Sequence, residues 1–220
     1  MFKPIFLLAF CFCAILGCKK SENSSPKDPP KNPTEKDLKQ IAGTLEQNFF
    51  QQGGNTDTFI TYLIRAGNNF CDNNSYPTAA LTSLKFKALF DSSCIYATVD
   101  PNNQADINKL YGFADSNTFH QTNSARFGWN WMNGEMHIHA YCYVSTVRMY
   151  KELGTVPLNT EIDCRLDVLP GKYIFTLNGK SDTMLRASQE VVAKGYKLYP
   201  YFGGDEPAPH DIKIKVKEIN

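Results

Sequence analysis

The segment EMHIHAYCYV, residues 135–144, carries four side chains capable of chemistry on alternate positions: His137, His139, Tyr141 and Tyr143. Alternate side chains of a strand point to the same side of a sheet, so these four would share one face. Imidazole can bind a metal ion or transfer a proton, and phenol rings can stack on sugars. The strand is therefore compatible with a metal site, a catalytic site, a sugar-binding surface or simply the solvated side of a sheet.

An Asn-Gly pair, Asn133 and Gly134, precedes this segment and predicts a two-residue β-hairpin turn. Pairing Met132 with Glu135 fixes the register of strands 125–132 and 135–144. One face pairs large rings with aliphatic side chains and must be core: Trp131 with Met136, Trp129 with Ile138, and Phe127 with Ala140. The other face pairs Asn130 with His137, Gly128 with His139, and Arg126 with Tyr141. The tryptophans therefore pack inside, and the histidines point away from the core.

The predicted polar face suits a carbohydrate. Sugars present apolar ring faces and rows of hydroxyls, so their sites combine aromatic rings with directional polar groups. Alternation in GYKLYPYF, residues 195–202, adds three side chains to this face and leaves Leu198 and Phe202 on the opposite side. Gly128, opposite His139, would leave room for a ligand to approach the imidazole. The candidate carbohydrate-binding residues are Arg126, Asn130, His137, His139, Tyr141, Tyr143, Lys197, Tyr199 and Tyr201.

Metal binding is an alternative use of the two strand histidines. A zinc site at His137 and His139 would need a third ligand, which only His120, His210 or a loop carboxylate could supply. No further spacing matches a zinc pattern, so we expect no metal site and no cofactor. Structural calcium remains chemically reasonable at two oxygen-rich places, the Asp205, Glu206 and Asp211 segment and residues 100–108, DPNNQADIN.

The rest of the chain predicts an all-β protein. Segments with apolar alternation, separated by Asn-Gly, Pro-Gly or Gly-Gly, are 81–90, 125–132, 135–144, 147–156, 161–169, 172–180, 195–202 and 211–219. Many short strands without helices between them indicate an antiparallel sandwich or barrel. Before them, Leu38, Ile41, Leu45 and Phe49 recur at helical spacing and predict a short N-terminal amphipathic helix.

The N-terminus has the composition of an export signal. Residues 1–17 place one lysine before an apolar run and end in ILGC, which resembles the lipobox of bacterial lipoproteins. The resemblance implies cleavage before Cys18 and lipid, including palmitate, on that residue. Residues 18–34 are rich in lysine and proline and predict a disordered tether, followed by a domain over 35–220. We therefore expect a cell-envelope lipoprotein of the outer membrane, facing the periplasm or the surface, with the membrane as a partner.

Charge and cysteine content bound the remaining classes. Loss of Lys3 with the signal would leave 22 basic residues against 22 acidic ones, and no basic stripe suggests nucleic acid. Four cysteines remain beyond the lipid anchor: Cys71, Cys94, Cys142 and Cys164. An even number in an exported chain allows one or two disulfides, and buried free thiols are an equal alternative.

The C-terminal half resembles a concanavalin-type jelly roll, on SARFGWNW, KYIFTLNGK, LYPYFGG and APHDIKIKV. KYIFTLNGK is similar to a strand and turn of laminin-G-like and alginate-lyase-like sandwiches. The lyases' order of an arginine strand, Gln-Ile-His and Tyr-Phe-Lys-Ala-Gly-x-Tyr is similar to Arg126, HIH and YPYFGGD here. Here His137 replaces the glutamine, Tyr201 the lysine, and Asp205 the second tyrosine. The resemblance implies a two-sheet jelly-roll sandwich and, for a lyase, catalytic roles for Arg126, Asn130, His139, Tyr199 and Tyr201.

Three functions follow. The first is a lipid-anchored protein that binds polysaccharide without cleaving it, through the polar face. The second is a polysaccharide lyase, which would need a cation to neutralise a uronate, a base for the C5 proton and an acid for the leaving oxygen. The third is a structural or adhesive lipoprotein with protein partners. The whole chain also resembles uncharacterised surface lipoproteins of Bacteroidetes-type bacteria, which favours glycan capture.

Overall fold

The computed structural model describes residues 58–219, which form two six-stranded sheets with antiparallel neighbours. The first sheet runs, in spatial order, β1 (Ile60–Ile64), β12 (Ile212–Ile219), β3 (Ser83–Phe90), β8 (Ile162–Leu169), β9 (Lys172–Leu177) and β10 (Lys180–Leu185). The second runs β2 (Thr78–Leu81), β11 (Ala193–Leu198), β4 (Asn108–Ala114), β5 (Ser124–Met132), β6 (Glu135–Val144) and β7 (Val147–Val156). This confirms the antiparallel two-sheet sandwich.

Aromatic side chains from both sheets form the core between them. Phe127 on β5 contacts Phe86 on β3 and Phe175 on β9, with ring centroids 5.5 and 5.1 Å apart. Trp129 lies 5.6 Å from Phe90 and is fully buried. Edge-to-face aromatic pairs of this kind stabilise a core by about 0.5–1.5 kcal/mol beyond their buried area. The apolar face of the β5–β6 hairpin is therefore the part of the second sheet that packs against the first sheet.

All four candidate cysteines are buried free thiols: Cys71, Cys94, Cys142 and Cys164. Burial raises the pKa of Cys71 to about 12, and it also raises the pKa of Cys94, Cys142 and Cys164. Protonated thiols in an apolar core behave as small hydrophobic side chains. Of the two states left open by the sequence, the structure therefore has the unpaired one.

The signal segment, the tether and the amphipathic helix predicted on 34–50 lie outside the described residues. Two short 3-10 turns, Ser92–Cys94 and Pro101–Ala105, are the helical elements within 58–219. No helix in that range is long and apolar enough to cross a membrane. The sequence did not mark β2, β4 and β10 as separate strands, and β4 proves to carry part of the candidate site.

Candidate functional site

The hairpin register predicted from the Asn-Gly turn is confirmed at every pair. Trp129 pairs with Ile138 and Gly128 with His139. Asn133 and Gly134 have φ angles of 54° and 82°, the left-handed conformations that a type I′ turn requires. The polar face, which we define as the outer side of β5 and β6 with Arg126, Asn130, His137, His139 and Tyr141, therefore points away from the inter-sheet core.

The polar face is not the open surface that the sequence predicted. Asn130 is 2% exposed and His139 is 6% exposed. Residues 100–107, which we call the covering segment, lie over this end of the face. Its Ala105 carbonyl accepts a hydrogen bond from Asn130 Nδ2 at 3.2 Å, and Gln104 Nε2 donates to the Trp131 carbonyl at 2.6 Å. These residues are buried by a segment that is distant from them in the sequence. The alternation of side chains along a strand cannot predict such a contact.

The expected gap at Gly128 is filled by the protein itself. A Cβ atom at Gly128 would lie 2.5 Å from Cγ2 of Ile107 and 3.1 Å from the Asn108 carbonyl oxygen. The missing side chain therefore admits Ile107 of the covering segment, and the prediction that it admits a ligand beside His139 was wrong.

His139 is a neutral imidazole with a defined tautomer. The Ala105 contact turns Asn130 Oδ1 toward the ring, where it accepts from His139 Nε2 at 3.0 Å. Nε2 therefore carries the proton, and Nδ1 is a buried acceptor without a partner among the described residues. Burial lowers the pKa of His139 to about 4. The neutral ring could accept a proton at Nδ1, but the covering segment separates the ring from solvent.

His137 is held at both nitrogens. Nδ1 lies 2.9 Å from Glu152 Oε1 on β7, and Nε2 lies 3.1 Å from the Met132 carbonyl oxygen. Each ring nitrogen therefore has a partner within the protein. His137 therefore clamps the hairpin to its neighbouring strand, and neither nitrogen is free for a ligand.

Arg126 is a buried cation without an acidic partner. Within residues 58–219 it forms no ion pair, and its Nε has no hydrogen-bond partner. The guanidinium carbon lies 5.5 Å from the centroid of the Tyr141 ring. Four tyrosines lie near enough to influence its pKa: Tyr76, Tyr141, Tyr143 and Tyr196. Burial lowers the pKa of Arg126. Unsatisfied cationic donors in a polar cluster are suited to an anion.

Lys109, which the sequence analysis missed, also lies beside Tyr141. Its Nζ lies 5.0 Å from the centroid of that ring and donates to the Gly203 carbonyl at 3.1 Å. Beside it is an open depression of about 350 Å³, including solvent-open space, with Arg148 and the 58%-exposed Tyr150 in its wall. We call this the cationic depression. A β-bulge between Lys109 and Tyr111 turns Lys109 outward and Tyr111 inward, which simple alternation does not anticipate.

The β11 prediction was wrong for two of its three side chains. Lys197 bonds Glu218 at 2.6 Å, beside the core residue Tyr111, and does not join the polar face. Tyr199 is buried against the core, and its hydroxyl meets that of Tyr76 at 2.8 Å. Strand β11 ends at Leu198 because Pro200 cannot continue the hydrogen-bond ladder.

The predicted alternation of side chains along residues 195–202 is also lost beyond Pro200. Leu198 packs with Tyr196 on the outer side of the sheet, whereas Phe202 enters the core, so the two do not share a side as predicted. Tyr201 is half-buried, and its backbone pairs with Lys109. Of the three candidates on this segment, the structure therefore brings only Tyr201 next to the cationic depression.

Within residues 58–219, no group of three or more His, Cys, Asp or Glu side chains is arranged to hold a metal ion. His120 contacts Tyr196 and His210 contacts the Ser93 carbonyl, so neither completes a set with His137 and His139. At the first proposed calcium segment, Glu206 accepts from the backbone N–H groups of residues 99 and 100. Its carboxylate therefore already has donors from the protein.

The structure is similar to that of the alginate lyase AlyC3, with a TM-score of 0.50 and 11% identity over 73% of this chain and 74% of that chain. It also matches PA1167 of Pseudomonas aeruginosa, with a TM-score of 0.46 and 10% identity over 80% and 90% of the two chains. AlyA1 of Zobellia galactanivorans, another alginate lyase, matches with a TM-score of 0.46 and 13% identity over 76% and 79%. No protein-family model and no curated protein matches. These three structural neighbours are alginate lyases with a jelly-roll sandwich, and at this identity the likeness shows the fold.

Proposed function

We propose that this protein acts on a uronic-acid polysaccharide as a lyase, binding it at the cationic depression. The observation that carries the proposal is the grouping of Lys109, Arg126 and Arg148 around Tyr141, with no ion pair to any of them within residues 58–219. Cations without acidic partners beside an open depression favour an anionic ligand. The exposed ring of Tyr150 adds a surface for a sugar to stack on.

The composition of the depression suits a uronate. Arg148 can neutralise a carboxylate, which β-elimination requires because the C5 proton becomes acidic only when that charge is compensated. The Tyr141 hydroxyl, whose pKa burial raises to about 12, stays protonated and can donate to a leaving oxygen.

The shared sandwich adds independent support for the lyase. The neighbour AlyC3 is an alginate lyase by its name, and it has this two-sheet architecture. Fold alone does not determine chemistry. The proposal therefore depends on the local arrangement of cations and tyrosines, and the fold makes a polysaccharide the reasonable form of the anion.

Binding without cleavage is the second candidate, and one observation favours it. The covering segment seals His139 and Asn130, two of the residues to which the lyase resemblance assigns catalysis. If no other group on the polar face replaces them, the depression would hold a uronate and leave it intact.

One experiment separates the two candidates. The purified protein is mixed with alginate, glucuronan or pectate, with neutral dextran as a control, while binding and ultraviolet absorbance are both followed. A lyase produces a conjugated double bond, so we expect the absorbance to rise with one of the acidic polymers. Binding with a flat absorbance would select the second candidate. Neither signal with any acidic polymer would contradict both, and would leave a structural protein with protein partners.

A matched pair of variants tests whether the polysaccharide binds at the cationic depression. Arg148→Gln removes one cation of the depression, and we expect about 10-fold weaker binding, since a charged hydrogen bond is worth roughly 1.5–3 kcal/mol. Arg165→Gln, an exposed arginine on β8 of the first sheet, is the control and should bind like the unmodified protein. Equal binding by both variants would place the ligand elsewhere.

A further inference from the structure

We propose that Lys109 is the base that removes the C5 proton of the bound uronate. The inference rests on the proposed lyase function and assigns its central step to a residue on β4. Lys109 lines the open depression, whereas the His139 nitrogen that could accept a proton is buried under the covering segment. The polymer can therefore reach the amine and not the imidazole.

The contacts of Lys109 leave its amine free to act. The one hydrogen bond of Nζ within the described residues goes to the Gly203 carbonyl, and its one ring contact is with Tyr141. The nearest carboxylate in the depression is Asp106, which accepts a hydrogen bond from the backbone N–H of Asp205 at 3.0 Å. Asp106 forms no ion pair with the lysine, and its negative charge only partly opposes the lowering of the Lys109 pKa.

The loop that receives Lys109 is built around glycine. A Cβ atom at Gly203 would lie 2.4 Å from the Tyr201 ring, and one at Gly204 would lie 1.7 Å from Asp106 Oδ2. Neither position admits a side chain without movement of a neighbour. The two glycines therefore let the backbone approach both Lys109 and Asp106, and they form one wall of the depression.

The surroundings favour the neutral amine. The charged and titratable groups near Lys109 are Asp106, His120, Arg126, Tyr141, Arg148 and Tyr150. Burial, then the positive charges of Arg126 and Arg148, lower the pKa of Lys109 to about 7. A base with a pKa near the working pH has both enough unprotonated form and enough basicity. Arg126 and Arg148 would then have two roles, because they lower the pKa of Lys109 and also attract the carboxylate of the uronate.

The proposed step balances as follows. The lone pair of Lys109 Nζ takes the C5 proton, and the C5–H electrons form the C4–C5 double bond. The C4–O4 bond breaks, and its electrons go to O4, which takes the proton of the Tyr141 hydroxyl. The products are a new chain end and an unsaturated uronate. Transfer of the proton from the Lys109 ammonium through water to the Tyr141 phenolate restores the site.

The test compares Lys109→Met with Lys215→Met, an exposed lysine on β12 of the first sheet. We expect the Lys109 variant to cleave at least about 100-fold more slowly, the usual contribution of a general base, while Lys215→Met cleaves normally. The cleavage rate of the unmodified protein should rise with pH through about 7, as Lys109 loses its proton. A small primary amine in the buffer should restore part of the activity of Lys109→Ala, which a merely structural role would not allow.

The failures are distinguishable. If the unmodified protein cleaves no acidic polymer, the proposed function fails and the base role fails with it. If it cleaves one but Lys109→Met cleaves at the same rate, or loses only affinity with an unchanged maximal rate, the lyase stands and the assignment of Lys109 is overturned. Circular dichroism of each variant identifies a loss caused by unfolding, and in that case Lys109→Arg decides, because it keeps the positive charge but cannot act as a base at neutral pH; cleavage at the unmodified rate would overturn the assignment.

Discussion

Protonation of His139 makes the stability of the folded protein depend on pH. Its pKa is about 4 in the folded protein against an ordinary value of 6.5, because the folded chain buries the neutral ring. Between these values the unfolded chain binds more protons, so stability is complete above about pH 6.5 and falls as the pH drops toward 4. Burial also lowers the pKa of His120, to about 3, which acts in the same direction.

His139→Gln should flatten this dependence. The Gln amide can still donate to Asn130 Oδ1 but does not titrate, so we expect the variant to lose about 1–3 kcal/mol less than the unmodified protein between pH 8 and pH 4.5. Urea unfolding at the two pH values measures the difference. An identical loss in both proteins would mean that His139 is already protonated in the folded state or exposed.

Asp115 and Arg186 form a buried ion pair that joins the two sheets. Arg186 Nε donates to Asp115 Oδ2 at 2.7 Å, and Tyr173 on β9 donates to the same oxygen at 2.5 Å. Both charged side chains are 1% exposed. Arg186 Nη2 also donates to Asp115 Oδ1, and the other guanidinium N–H groups donate to the carbonyls of residues 169, 190 and 192. The pair is therefore fully hydrogen-bonded, as a buried ion pair must be.

Arg186→Met should destabilise the protein by about 3–5 kcal/mol, because it leaves the Asp115 carboxylate buried without its cation. Adding Asp115→Asn to that variant removes the orphaned charge and should recover part of the loss. Urea unfolding of the two variants measures both effects. A double variant no more stable than Arg186→Met would show that the uncompensated charge is not the cause.

Individual site residues were predictable only where the strand is regular. Arg126 and His139 follow from the hairpin register, but their burial comes from the covering segment, which is distant in sequence. Lys109 was missed because a bulge separates it from the alternation of β4, and Tyr199 was misplaced because Leu198 packs on the outer side of the sheet and Tyr199 therefore faces the core. Local periodicity therefore identified the face, and irregular backbone decided which side chains reach solvent.

At the scale of elements, the β5–β6 hairpin and the covering segment fit each other through Gly128. A Cβ atom there would press on Ile107 at 2.5 Å, so we expect Gly128→Ala to cost about 1–3 kcal/mol and to loosen the segment. Ile107→Ala, combined with it, makes room for the methyl group and should restore part of the stability. Thermal unfolding of both variants is the measurement. No effect of Gly128→Ala would mean that the segment does not lie against the hairpin.

Strand type and hairpin register were the most predictable elements. Asn133 and Gly134 adopt the positive φ angles that their residue types favour, and the pairing of β5 with β6 follows from them. The order of strands in each sheet was not predictable from periodicity, since neighbours such as β3 and β12 are far apart in the chain. The jelly-roll expectation came from resemblance, and the two six-stranded sheets confirm it.

At the scale of the whole molecule, we propose that lipid on Cys18 holds the sandwich at the outer membrane, with 18–34 as the tether. The support is the ILGC motif and the proline-rich, polar composition that follows it. Cys18→Ser should move the protein from the membrane fraction to the soluble fraction of its host and abolish incorporation of a palmitate analogue. Retention of the variant in the membrane, with unchanged labelling, would contradict the anchor.

The most direct test of the central claim is a structure of the protein with a uronic-acid oligosaccharide bound. We expect a carboxylate of the oligosaccharide within hydrogen-bonding distance of Arg148 or Lys109, and a sugar ring against Tyr150. An oligosaccharide bound on the first sheet, or one that leaves the cationic depression empty, would contradict the claim that this depression is the polysaccharide site.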